Sequence, residues 1–276
     1  MRKEWGLVVL LVAGLLCLAP NALAGWSAAK RLTWTKSWCQ NPDISIDSSN
    51  KIHVVWEDLT SGNFEIYYCQ STDGGTNFSA GKPLTSTTGD SWNAAIATDT
   101  SNAVHVVWDD DTPGNREIYY RRSTNGGMTW GAPQRLTWTP GYSCFPNIAI
   151  DQTKAISVVW QDNTPQNDEI YHKRSTDGGV TWGPVKRLTF TALGSWDPAV
   201  AIDLSYKIHV VWEESTSGNN EIYYKSSADG GAALSRGRRL PGALPEGLAR
   251  SGSPRNHGNA HYPGRSTGLG QRPARI

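Results

Sequence analysis

The 276-residue chain carries 26 basic and 25 acidic side chains, a formal net charge of +1, and 13 tryptophans. That balance conceals two opposed parts: residues 25–231 hold 16 Lys and Arg against 23 Asp and Glu, while residues 232–276 hold eight Arg against one acid, Glu246. The acidic body excludes nucleic acid as its partner, because affinity for a polyphosphate rests on clustered Lys and Arg.

In chain order, the first element is a leader. Arg2 and Lys3 precede an apolar run from Leu7 to Leu18, and Ala22-Leu23-Ala24 forms a small-x-small cleavage site. The run is shorter than the ~20 residues that cross a bilayer, and no other segment is apolar enough, so no membrane span is expected. Residues 1–24 read as a signal peptide, placing the mature chain in the periplasm, at the cell surface or outside the cell. Cys17 invites lipidation, but Leu16 stands where a small residue is wanted. Cleavage leaves Cys39, Cys69 and Cys144, an odd number that cannot all pair within one chain. A Cys39–Cys144 bridge requires their two loops to meet.

From there a 52-residue repeat runs without insertion or deletion. Val-Val-Trp ends at Trp56, Trp108, Trp160 and Trp212; Glu-Ile-Tyr starts at Glu65, Glu117, Glu169 and Glu221. Such a period denotes one supersecondary unit stacked on its own copies. In the third copy, strands are predicted at 147–151, 155–160, 168–174, and from Val180–Trp182 into Arg187-Leu-Thr189. The runs are rich in Val, Ile, Trp, Tyr and Thr and are separated by turn residues. Side chains are apolar on both strand faces, as for Val210, Val211 and Trp212, which suits a sheet covered on both sides. The expected fold is all-β: a β-propeller of four-stranded antiparallel blades over residues 25–240. Four blades are present, as a small closed ring or as part of an incomplete six-bladed one. Trp26 lies five residues before Arg31, as Trp130 does before Arg135, so the mature chain is expected to open on a lone fourth strand, which in a closed propeller completes the last blade and covers its open edge.

After Gly231 the words stop, and Arg239-Leu240 is the last echo. Residues 241–276, rich in Gly, Pro and Arg, cannot bury enough apolar surface to fold. They read either as a disordered basic tail or as out-of-frame peptide replacing further blades.

One recurrent turn names a likeness. Ser71-Thr-Asp73-Gly-Gly75-Thr-Asn-Phe78, Ser123-Thr-Asn125-Gly-Gly127-Met-Thr-Trp130 and Ser175-Thr-Asp177-Gly-Gly179-Val-Thr-Trp182 resemble the Asp-box, or BNR repeat, of bacterial sialidases and related propellers. Ser227-Ala-Asp229-Gly-Gly231 is a shortened fourth copy. The short carboxylate in such a turn accepts backbone N–H groups and the glycines permit positive φ. The box residues are therefore expected to be turn formers, with the terminal aromatic packed under the turn. The resemblance implies boxes on the rim, away from the active face. Function is thus expected on the opposite face, made by the second-to-third-strand loops and the loops leading into each first strand.

That face offers acids and aromatics. The candidate ligand-binding residues are Trp38, Asp58, Trp92, Asp110, Tyr142, Asp162, Trp196 and Glu214. Carboxylates bond hydroxyls and rings stack on sugars, so the set suits a glycan; it also suits an extracellular protein. The same residues read equally as solvated turn acids and aromatics packed between blades. Asp109-Asp110-Asp111 lacks the EF-hand spacing for calcium, so no metal or cofactor is expected. His53, His105 and His209, and the recurring Glu65 set, read as architecture.

A sialidase-type hydrolase would need an arginine cluster, a nucleophile with its base, and an acid, all departing from the repeat. The Arg-Ile-Pro motif that the resemblance would supply is missing, and Arg31, Arg135 and Arg187 simply recur. No catalytic residue is assigned. The expected function is an exported, non-catalytic glycan- or protein-binding propeller; the alternative is a sialidase-like exo-glycosidase, or a truncated fragment of one.

Overall fold

The structure is a computed structural model that describes residues 25–215 and 218–231, with the backbone alone of 238–239. The expected signal peptide and basic tail lie outside the described residues. The described chain is all-β and builds four sheets. The first holds β1 (Cys39–Ile46), β2 (Ile52–Asp58), β3 (Glu65–Ser71) and β4 (Lys82–Pro83). The second holds β5 (Ser91–Thr98), β6 (Val104–Asp110), β7 (Glu117–Ser123) and β8 (Gln134–Arg135). The third holds β9 (Ser143–Ile150), β10 (Ile156–Asp162), β11 (Glu169–Ser175) and β12 (Lys186–Arg187). The fourth holds β13 (Ser195–Ile202), β14 (Ile208–Ser215), β15 (Asn220–Ser227) and β16 (Arg238–Arg239). Each sheet is an antiparallel meander in chain order, and β1, β5, β9 and β13 pack side by side in succession. This is the expected propeller blade. The first strands begin about four residues earlier than the sequence indicates, and the fourth strands are only two residues long. Val180–Trp182 is not strand, because the Val180 and Thr181 N–H groups are spent on the Asp177 carboxylate.

Blades cohere by burying both sheet faces. Val55, Ile66, Tyr68 and Leu84 of the first blade close onto Ala94, Ile96, Val104, Val106 and Trp108 of the second. The same register joins second to third and third to fourth. At ~25 cal/mol per Å² of apolar surface, these interfaces are the main source of stability.

The Ser-x-Asp/Asn turns have one geometry. In the third copy Ser175 Oγ donates to Asp177 Oδ1 (2.8 Å) and accepts the Gly179 N–H (2.8 Å), while Thr181 N–H donates to Asp177 (2.9 Å). In the second, Asn125 Oδ1 replaces the carboxylate at 2.9 Å from both Ser123 Oγ and Thr129 N. Gly179 sits at φ +82°, and a β-carbon there would collide with Tyr120 Oη of the preceding blade. The terminal aromatics of the second and third boxes also reach across to the preceding blade. Trp130 meets Tyr68 edge-to-face at 5.1 Å and Trp182 meets Tyr120 at 5.0 Å, so each clamps its blade to the one before.

His53, His105 and His209 are bonded blade residues: each Nδ1 lies 2.7–2.8 Å from a tyrosine hydroxyl, Tyr68, Tyr120 or Tyr224. The third blade carries Ser157 in place of this histidine, and His172 in place of the tyrosine. Cys39, Cys69 and Cys144 are all free thiols.

Candidate functional site

The face opposite the box turns is organised by a bulge in each first strand. The pairing shifts between Gln40 and Asp43, between Trp92 and Ala95, and likewise in the third and fourth blades. The extra residue takes positive φ at one repeat position: Asn41 (48°), Asn93 (52°), Phe145 (54°) and Asp197 (48°). Asn and Asp tolerate this conformation, whereas Phe145 is strained in it. The bulge aims its N–H at the preceding blade. Asn93 N donates to Glu57 Oε1 (2.6 Å), Phe145 N to Asp109 Oδ1 (3.2 Å) and Asp197 N to Gln161 Oε1 (3.1 Å). Around the axis, all four bulges and the prolines Pro42, Pro146 and Pro198 line a depression of about 410 Å³.

Beside the axis, between the first two blades, lies a larger groove of about 710 Å³, lined among others by Phe64, Trp92, Asp111, Asn115, Arg116 and Tyr142. The Arg116 guanidinium lies over the Trp92 ring at 3.9 Å and 3.7 Å from Asp109 Oδ2. Burial pushes the Asp109 carboxyl up to about 7, against the pull of Arg116 and the Asn93 amide. In the next blade Asp168 occupies the Arg116 position. It accepts a bond from Trp196 Nε1 (2.8 Å), and burial raises its pKa.

The eight candidates from the sequence do not form one site. Asp58, Asp110 and Asp162 are buried turn caps, a correction to their expected role. Asp58 accepts Trp56 Nε1 and Thr60 N–H; Asp110 accepts Ser91 Oγ and Thr112 N–H; Asp162 accepts Ser143 Oγ and Thr164 N–H. Their carboxylates are consumed by the fold. Glu214 is half-buried and accepts Trp212 Nε1 (2.9 Å). Trp92 is buried beneath Arg116 and Trp196 is half-buried against Asp168, so neither ring is an open stacking platform. Trp38 and Tyr142 are exposed. Of the eight, the groove brings together Trp92 and Tyr142.

The axial carboxylates are Glu57, Asp109 and Glu213, with Gln161 in the same register. Each lies one residue before an acid chosen from sequence. Neighbours in a strand face opposite sides, and a two-acid loop does not reveal which acid turns inward. Asp109, Asp110 and Asp111 accordingly diverge, and among the described residues no group of three His, Cys, Asp or Glu is arranged to hold a metal ion. Arg116 had one signal: it breaks the repeat, standing where the other copies have Phe64, Asp168 and Asn220.

No family model and no curated protein matches the sequence. Solved structures do match. A protein of unknown function from Dyadobacter fermentans superposes with a TM-score of 0.60 at 14% identity, over 74% of this chain and 69% of that one. A leech intramolecular trans-sialidase gives a TM-score of 0.62 at 10% identity, over 79% and 54% respectively. An α-L-arabinanase from Penicillium chrysogenum gives 0.56 at 15% identity, over 73% and 66%. The fold is therefore that of the sialidase- and arabinanase-type β-propellers, and this chain spans about half the length of the leech enzyme.

Proposed function

We propose that residues 25–240 form an exported, non-catalytic Asp-box propeller whose groove between the first two blades binds a glycan. The observation that carries this is the groove's lining, where the exposed ring of Tyr142 stands beside the Arg116 guanidinium, itself held over buried Trp92, and the polar rim of Asn115 and Asp111. A ring and fixed donors and acceptors in one concavity are what a sugar's apolar face and hydroxyls require. The non-catalytic reading is supported by the axial acids. Glu57 and Asp109 are fully buried and already accept bonds from Asn41, Asn93 and Phe145. A glycosidase needs two carboxylates that reach the scissile bond. The solved neighbours include glycan-processing proteins, which fits the ligand class. An extracellular protein is the other partner that such a groove suits.

One observation favours a second reading, a sialidase-like glycosidase: a carboxyl held near neutrality beside an off-repeat arginine, as for Asp109, is the form a general acid takes. Calorimetric titration with sialylated, arabinan and neutral oligosaccharides, with chromatography of the recovered sugar, separates the two. Binding with intact sugar supports the module; released monosaccharide supports the hydrolase; no heat with any sugar refutes both.

A further inference from the structure

The two ends of the blade array are complementary halves of an interface the chain already makes three times. On the fourth blade, Val211 is 36% exposed and Ile222 48% exposed, while their repeat equivalents Val55, Val107, Val159, Ile66, Ile118 and Ile170 are completely buried. On the first blade, Ile44 is 59% exposed, whereas its equivalents Ile96 and Ile148 are buried, and Ile46 is 58% exposed where its equivalents Thr98 and Ile150 are half-buried. One end thus presents the outgoing face of a blade interface and the other the receiving face.

The N-terminal segment sharpens the match. Lys30 Nζ donates to the Gly75 carbonyl (2.9 Å), just as Lys82 donates to Gly127 (2.6 Å) and Lys186 to Gly231 (2.5 Å). Leu32 packs against Val54, Trp56 and Cys69 of the first blade. Residues 30–33 therefore lie as the fourth strand of a blade preceding the first, and among the described residues no Val, Ile or Tyr of such a blade joins the cluster around Leu32. Elsewhere the threonine of this word accepts the isoleucine N–H of its third strand: Thr85 from Ile66 (2.7 Å), Thr137 from Ile118 (2.8 Å) and Thr189 from Ile170 (2.8 Å). Ile222 is the equivalent donor in the fourth blade, but Pro241 stands at that threonine position and has no hydroxyl. Thr33 has the hydroxyl, and among the described residues no third strand pairs with it. Arg31 repeats the position of Arg135 and Arg187, which bind Glu117 (2.9 Å) and Glu169 (2.8 Å); the corresponding glutamate on the fourth blade is Glu221.

We propose that the fourth blade docks head-to-tail on the first blade of a second copy of this chain, whose residues 30–33 take the place of Arg238–Arg239 beside β15. Thr33 then accepts the Ile222 N–H, Arg31 meets Glu221, and Val211 and Ile222 cover the receiving face around Leu32, Ile44 and Ile46. The contact is heterologous, so the angle between copies sets whether it closes into a ring.

The test is the mass of the full secreted chain by light scattering across a hundredfold concentration range, with two variants. Ile222→Lys disables the outgoing face and Leu32→Asp the receiving one; circular dichroism confirms that each keeps its strand content. The proposal predicts a parent heavier than one chain, two monomeric variants, and restored association when the variants are mixed, since each retains the face that the other lacks. Thr33→Val should weaken association roughly two- to tenfold, the loss of one hydrogen bond. A monomeric parent overturns the proposal. So does an assembly untouched by Ile222→Lys, or variants that fail to associate when mixed, which would mean that like faces pair.

Discussion

The box turn can be weakened in a way that separates its two working groups. Ser175→Ala removes the hydroxyl that donates to Asp177 and accepts the Gly179 N–H, both at 2.8 Å. Ser175 and Gly179 are buried, so the N–H is left without a partner where water cannot replace it. A buried donor left unsatisfied costs about 1–3 kcal/mol, and we take about 2 kcal/mol for this site. For a folded body of ~200 residues each kcal/mol moves the melting temperature by roughly 2–4 °C, so Ser175→Ala should melt about 4–8 °C lower. Asp177→Asn is the contrast. The second copy already carries Asn125, whose Oδ1 holds Ser123 Oγ and Thr129 N–H at 2.9 Å, and whose amide reaches Thr129 Oγ1 (2.7 Å). This variant should melt close to the parent. Tryptophan fluorescence reads both. Equal losses in the two variants, or no loss in Ser175→Ala, would refute the assignment of the hydroxyl as the pivot of the turn.

Two buried groups predict opposite responses to pH. Burial, reinforced by Arg174 and Lys186, holds His172 at about 4, below its ordinary value of 6.5. The unfolded chain therefore takes up this proton first, and stability falls as pH drops from about 6.5 to 4, by on the order of 3 kcal/mol. His172→Tyr, the residue of the other three copies, should flatten that part of a urea-denaturation series; an unchanged slope would count against it. Asp109 is raised from 3.8 to about 7, so its native form prefers the proton and its contribution is lost as pH rises from about 4 through 7. Asp109→Asn should match the parent below pH 4 and exceed it at pH 8. A variant less stable at pH 8 would show that the Arg116 pair outweighs burial.

The fold was legible because each blade repeats its words at fixed spacing. Val-Val-Trp and Glu-Ile-Tyr place β2 and β3 and their counterparts to within a residue or two, and two-sided apolar strands announced stacked sheets. The fourth strands were overextended because the box turn spends its N–H groups on Asp177, a contest that propensity does not register. The contacts of Trp130 and Trp182 with the preceding blade were not legible because their partners, Tyr68 and Tyr120, lie one blade away. The site was half legible. Trp92 and Tyr142, chosen from the sequence, both line the groove. Which acid of each pair turns inward was not legible: Glu57 and Asp109 accept bonds from the bulges at Asn41, Asn93 and Phe145, while Asp58 and Asp110 cap turns. Bulges that depend on a neighbouring blade leave little local trace.

The most direct measurement is a glycan array probed with the protein alongside Tyr142→Ala, Arg116→Ala and Asp177→Asn. The groove account predicts that the parent and Asp177→Asn retain the same intact glycans, and that Tyr142→Ala and Arg116→Ala lose them by tenfold or more, about 1.4 kcal/mol. Retention undiminished in both groove variants, or sugar released from the array by the parent, would contradict it.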